Sequence, residues 1–227
     1  MVGRLTRGGR ALNLPARLVT ADELLGPVDV VAPALLGCWV VADRPEGTVA
    51  VRLTEVEAYS GEGTDPAAHS HRGPTPRAAI MFGPPGRLYV YFSYGVHWCA
   101  NVVVGREGVG SAVLLRAGEV VVGEELARTR RPSARVDRDL ARGPARLTQA
   151  LGIGPDDKGA DLLDATSPVR LHAGDPAAPL ESGPRVGISV ATELPWRYWE
   201  SGAPSVSPFR PGGRPRARAP RQDRPRD

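Results

Sequence analysis

With 227 residues the chain can bury one sizeable core, and a single domain is the simplest division. Its formal charge of +4 is mild, but almost every basic residue is arginine, and Lys158 is the only lysine. Two cysteines, Cys38 and Cys99, are too few for a disulfide framework and form no CxxC pair, so structural zinc is not indicated.

The N-terminus carries no long apolar leader segment, and no run has the length of a membrane span. A soluble protein of the reducing bacterial cytoplasm is expected, with no membrane partner. Abundant Ala, Gly, Pro and Val point to a GC-rich genome, which accounts for part of the arginine excess. What remains is a basic surface, and that favours polyanionic partners such as nucleic acid.

Residues 1–16 show no clear period and are expected to lie loosely on the surface. Thr20-Ala-Asp-Glu23 fits a capping box, predicting a short helix there. Residues 29–36 are Ala/Leu-rich and predict a second helix, stopped by Gly37. Strands are expected over 38–42 and 48–58 around the turn at 44–47. Simple alternation places Val49, Val51, Leu53, Glu55 and Glu57 on one face of the second strand.

Residues 60–86 form a long Gly/Pro-punctuated loop, and long loops in compact domains commonly carry function. Three strands follow over 87–92, 97–104 and 111–117, then a helix over 118–131. Gly143-Pro144 opens another helix over 145–151, because proline suits the first helical turn. Short strands are expected at 169–172 and 185–190. Trp196, Tyr198 and Trp199 are read as packing residues at the core edge. The Pro/Arg-rich tail over 208–227 lacks the apolar residues needed to fold. Its arginines could hold phosphates weakly.

The chemistry concentrates between residues 53 and 116. Glu57 ends an apolar stripe, where desolvation disfavours its charge unless donors hold it ionised. Such a carboxylate can activate water or stabilise a developing cation; it can equally be one half of a salt bridge. Glu55 points the same way in a regular strand, so spacing alone does not choose between the two.

Tyr59, His69 and Tyr91 can supply flat walls for a base, although a tyrosine-rich strand packed on a sheet has the same pattern. Tyr94 precedes Gly95 at a strand-end turn, where a projecting ring can wedge between base pairs. Asp65, His69 and His71 raise the possibility of a metal site, but their spacing matches no standard zinc pattern. No nucleotide-cofactor motif is present. Lys158 lies in a surface-turn composition far from this region, which disfavours a Schiff-base amine and favours attack by water.

Taken in order, Glu55-Val-Glu57-Ala-Tyr59, Ala67-Ala-His69-Ser70, Thr75-Pro-Arg77, Met81-Phe82, Pro85-Gly-Arg-Leu-Tyr-Val-Tyr91, Tyr94-Gly95, Asn101 and Leu114-Leu-Arg116 resemble the alkyladenine (3-methyladenine) DNA glycosylase family. The resemblance continues through Gly143-Pro144, Gln149-Ala-Leu151 and Arg185-Val-Gly187. It implies a single mixed α/β (α+β) domain, a curved antiparallel β-sheet flanked by short helices, over residues 16–207. An N-terminal extension (1–15) and the tail (208–227) lie outside it.

The resemblance further implies a monomeric, monofunctional enzyme with neither metal nor cofactor. It would act on damaged double-stranded DNA at the nucleoid, flipping out alkylated or deaminated purines and hydrolysing the N-glycosidic bond without lyase activity. By position, Glu57 matches the general base, with Arg116 and the backbone of Val186 holding the water. Tyr59, His69 and Tyr91 match the walls around the flipped base. Asn101 matches the side chain that clashes with the exocyclic amine of guanine, and Tyr94 the residue that fills the vacated stack.

Two departures concern the loop: one additional residue between Tyr59 and His69, and His71-Arg72 where small residues are expected. Two other readings of the same residues are a non-catalytic binder of damaged bases and a metal-dependent hydrolase built on His69 and His71.

Overall fold

The computed structural model describes residues 5–7, 10–12, 14–93 and 95–213. Tyr94, and with it the expected wedge, lies outside the described residues. An antiparallel pair, β1 (Leu5–Arg7) and β2 (Arg10–Leu12), stands where no regular structure was expected. The Gly8-Gly9 dipeptide between them is a hairpin signal in its own right. Thr20 starts a 3-10 turn at Asp22–Leu24, with its amide and hydroxyl both donating to Glu23. Helix α1 (Val28–Ala34) follows.

Eight strands form one curled antiparallel sheet: β3 (Trp39–Arg44), β4 (Gly47–Tyr59), β5 (Leu88–Ser93), β6 (His97–Val104), β7 (Ser111–Val122), β8 (Val169–His172), β9 (Leu180–Gly183) and β10 (Arg197–Glu200). The domain is thus mixed α+β, with α2 (Glu124–Arg130) and α3 (Pro144–Leu151) as its other helices. Along one edge β4 pairs with β7. Along the other, its first half pairs with β3 and its second half with β10.

Three irregularities break the β4–β7 register: one at Val121, between the pairs Ala50–Val122 and Val51–Val120, and two compensating bulges nearer the site. Between the pairs Leu53–Gly118 and Glu55–Ala117, Thr54 is the additional residue on β4. Between Glu55–Ala117 and Val56–Leu115, Arg116 is the additional residue on β7. A bulge re-aims the side chains beyond it, and this overturns the single-face expectation for β4. Val49, Val51 and Leu53 enter the main core and so do Val56 and Ala58, whereas Glu55, Glu57 and Tyr59 turn to the opposite face. The same division runs across the sheet. Leu88, Val90, Ala100, Val102, Val113 and Leu115 face the main core beneath α1 and α3. Tyr89, Tyr91, Cys99, Asn101 and Leu114 face the other way.

The helix expected over 118–131 begins only at Glu124. Residues 118–122 extend β7, because Gly118 lies so close to β4 that a Cβ would meet the Arg52 carbonyl oxygen at 2.3 Å, and Val120–Val122 favour a strand. Gly123, at φ +72°, ends the strand and opens α2. Helix α3 begins at Pro144 as expected and closes on Gly152, whose amide donates back to Gln149. Thr148 of α3 donates to the Trp98 carbonyl of β6, tying the helix to the sheet.

The strand expected over 185–190 is absent. Those residues form an irregular segment between β9 and β10, and the late edge strand is β10. Trp196 and Tyr198 pack against the main core, as expected. Residues 205–213 run back past the site: Ser207 contacts Glu55, and the Arg210 carbonyl accepts the Gly187 amide at 2.9 Å. No helix among the described residues is long and apolar enough to cross a membrane.

Candidate active site

The face of the sheet turned away from the main core borders a cavity of about 670 Å³. Tyr59, His69, Tyr91, Asn101, Arg116 and Val186 all line it. Strand alternation delivers Tyr89 and Tyr91 from β5 and Asn101 from β6, the bulge delivers Arg116 from β7, and the two long loops deliver His69 and Val186. A cavity of this size, with aromatic walls and a few convergent polar groups, suits a small planar ligand.

Glu57 is fully buried behind this lining. Its Oε1 accepts the Val186 amide at 2.6 Å, and its Oε2 accepts the Tyr59 hydroxyl at 2.9 Å. Arg116 Nη1 lies 3.3 Å from the same Oε2. Burial pushes the Glu57 carboxyl above its ordinary value, against the pull of Arg116, the Val186 amide and Tyr59. Burial likewise pushes the Tyr59 hydroxyl well up, reinforced by the carboxylate beside it, so Tyr59 remains a donor.

Glu55 is different. It accepts Arg116 Nε at 2.8 Å, Arg197 Nε at 2.7 Å, and the amide and hydroxyl of Ser207 at 2.6 and 2.9 Å. Burial opposes its charge, but Arg116 and Arg197 outweigh that and hold it below the ordinary value. With Glu57, Arg116 and Arg197 it makes a buried cluster of two anions and two cations. Geometry thereby separates the two carboxylates that spacing left equivalent.

The aromatic walls are mutually braced. His69 meets Tyr91 edge-on at 4.6 Å between ring centroids, and its Nδ1 lies 3.1 Å from the Tyr89 hydroxyl. Burial, aided by the positive charge of Arg77, brings the imidazole down to about 4, so it is neutral at neutral pH. Asn101 donates through Nδ2 to the Tyr89 carbonyl at 3.1 Å, which sets the orientation of its amide.

Several participants escaped the sequence reading. Arg77 lines the cavity and sits 5.0 Å over the Tyr91 ring. Asp65, weighed there as a metal ligand, is instead gripped by Arg185, while His69 contacts Tyr89 and Tyr91. Among the described residues no cluster of three His, Cys, Asp or Glu side chains is arranged to hold a metal ion. Ser207 joins the carboxylate cluster from far along the chain. Nothing local in the sequence signals it, because its role depends on a contact 152 residues away. Lys158 is exposed, and its ammonium donates to the Arg77 carbonyl at 3.5 Å.

Residues 22–204 match the family described as Methylpurine-DNA glycosylase (MPG). A protein of Nocardia farcinica is 51% identical over 199 residues, covering 85% of this chain and 92% of the relative. One from Frankia casuarinae is 53% identical over 201 residues (84% and 92%), and one from Leifsonia xyli 54% over 196 residues (83% and 91%). All three carry the name "Putative 3-methyladenine DNA glycosylase". The chain belongs to the methylpurine-DNA glycosylase family.

Proposed function

We propose that this protein is a monofunctional DNA glycosylase. It flips alkylated or deaminated purines (3-methyladenine, 7-methylguanine, hypoxanthine and ethenoadenine) out of damaged duplex DNA and hydrolyses the N-glycosidic bond with water activated by Glu57. The observation that carries the reading is a buried carboxylate at the wall of an aromatic cavity, gripped by an arginine, a backbone amide and a tyrosine hydroxyl. Those three donors favour the ionised form a general base needs, against the burial that disfavours it.

Flipping costs a few kcal/mol, less for a damaged pair. Stacking on Tyr59, His69 and Tyr91 offsets it by about 1–3 kcal/mol per base. As the bond breaks the sugar becomes oxocarbenium-like, and the Glu57 carboxylate stabilises that charge while it orients water with Arg116 and the Val186 amide. Asn101 excludes the exocyclic amine of guanine, and Tyr94 fills the gap in the stack. The catalytic unit is one copy of this domain, with no cofactor, working in the bacterial cytoplasm on nucleoid DNA.

The Glu57→Gln variant tests this on duplexes with one hypoxanthine or ethenoadenine: base release should fall by about a hundredfold or more. Release at the wild-type rate would sink the mechanism. One observation favours a second reading, a non-catalytic binder of damaged bases: Glu57 has no exposed surface and already holds three partners. In that case the wild-type protein binds lesion duplexes but never leaves an alkali-labile abasic site.

A further inference from the structure

Three segments far apart in sequence supply the cavity: the end of β4 with Tyr59, the loop with His69, and the segment with Val186. One fully buried ion pair joins all three. Arg185 Nη1 donates to Asp65 Oδ2 at 2.5 Å and Nη2 to Oδ1 at 2.9 Å, and neither side chain has any exposed surface. Nη1 also donates to the Ala58 carbonyl at 2.9 Å, next to Tyr59. The guanidinium lies 4.6 Å from the centroid of the Tyr59 ring and 5.4 Å from that of Trp196. Asp65 in turn accepts the Ser60 amide at 3.3 Å and the Ala67 amide at 3.0 Å, two residues before His69. Arg185 immediately precedes Val186, whose amide meets Glu57.

A buried ion pair is a poor stabiliser relative to apolar residues of similar size, because desolvation cancels much of the attraction. What this pair supplies is geometry. We infer that Asp65 and Arg185 are positioning residues: their two-pronged contact sets the Tyr59 wall, the His69 loop and the Val186 amide in register around Glu57. This rests on the proposed role of Glu57.

The inference predicts a signature that mere loss of stability does not give. The groups around Glu57 are Arg116 from β7, the Val186 amide, Tyr59 and Glu55 on its own strand, Tyr91 from β5, Arg185 beside Val186, and Arg197, paired with it on β10. Displacing the Val186 amide removes a donor that holds the Glu57 pKa down, so the acid limb of activity moves to higher pH.

The test is the double variant Asp65→Asn with Arg185→Gln, which removes both charges together and leaves neither uncompensated. On a hypoxanthine duplex its kcat should fall by about a hundredfold, as for a small misplacement of catalytic groups. KM should change less, and the acid limb should move up. An unchanged kcat and limb, or a lower kcat with the limb unmoved, overturns the inference. Arg185→Lys then separates register from charge, because the Arg185 cation also favours the Glu57 carboxylate directly: it keeps the charge, loses the fork, and must show the same limb shift in a folded protein. A wild-type limb there overturns the inference. Wild-type protein that releases no base from any lesion duplex would instead defeat the proposed function itself.

Discussion

Glu55 and Glu57 lie two residues apart on β4 and both reach Arg116, at 2.8 and 3.3 Å, yet they sit in different surroundings. Glu55 is enclosed by Arg116, Arg197 and Ser207, while two partners of Glu57, Tyr59 and Val186, belong to the cavity wall. Their substitution should therefore separate fold from chemistry. Glu55→Gln leaves two buried guanidiniums short of a counter-charge, which costs about 3–5 kcal/mol and lowers Tm by about 10 °C. Glu57→Gln should change Tm by no more than a few degrees and lower base release by about a hundredfold or more. Thermal melts beside a single-turnover assay check the pair.

The pH dependence of activity follows from Glu57. Its folded pKa is raised above the ordinary 4.5, mainly by burial, and the reaction uses the carboxylate. Release is then constant at neutral pH and is lost as pH falls through a midpoint above 4.5. A pH profile of kcat/KM on a hypoxanthine duplex, with an acid midpoint at or below 4.5, would contradict this assignment.

His69 makes stability sensitive to a different window. The unfolded imidazole binds a proton near 6.5, whereas the folded one resists until about 4 because it is buried beside Arg77. Protons therefore favour the unfolded chain between those values, and stability falls as pH drops from about 6.5 to about 4. The variant His69→Phe, which cannot charge, should lose less Tm between pH 7 and pH 5 than the wild type. Equal losses would show that His69 is not the group responsible.

Asn101 offers a test of selectivity. The Asn101→Ala variant removes the amide that donates to the Tyr89 carbonyl, a cost of about 1 kcal/mol in stability. It should also admit the guanine exocyclic amine, raising release of guanine relative to hypoxanthine. Competition between duplexes bearing each base measures the ratio, and an unchanged ratio removes Asn101 from the selectivity argument.

Chelators should have no effect. Asp65 is paired with Arg185, and His69 is braced by Tyr89 and Tyr91, so neither is placed to join His71 at a metal ion. Loss of base release in EDTA, restored by a divalent cation, would revive the metal-dependent reading.

Where short-range signals decided structure, the sequence was legible. Gly143-Pro144 marked the start of α3, and the turn glycines Gly95 and Gly105 marked the ends of the strands that stand as β5 and β6. The ordered motifs around Glu57, Tyr91, Asn101 and Arg116 pointed to side chains that do gather at one cavity. What escaped was set by contacts between distant segments. The bulges at Thr54 and Arg116 inverted the expected face of β4, and close approach to β4 kept residues 118–122 extended. The Asp65–Arg185 pair spans 120 positions and has no local pattern.

The family match ends at residue 204, but Ser207 completes the Glu55 cluster and the Arg210 carbonyl receives the Gly187 amide beside Val186. A shortened recombinant version that stops where the family description stops would lose both attachments while keeping every residue assigned to the chemistry. The useful end point for preparing a minimal active protein therefore lies beyond residue 210, several residues past the limit that homology alone suggests.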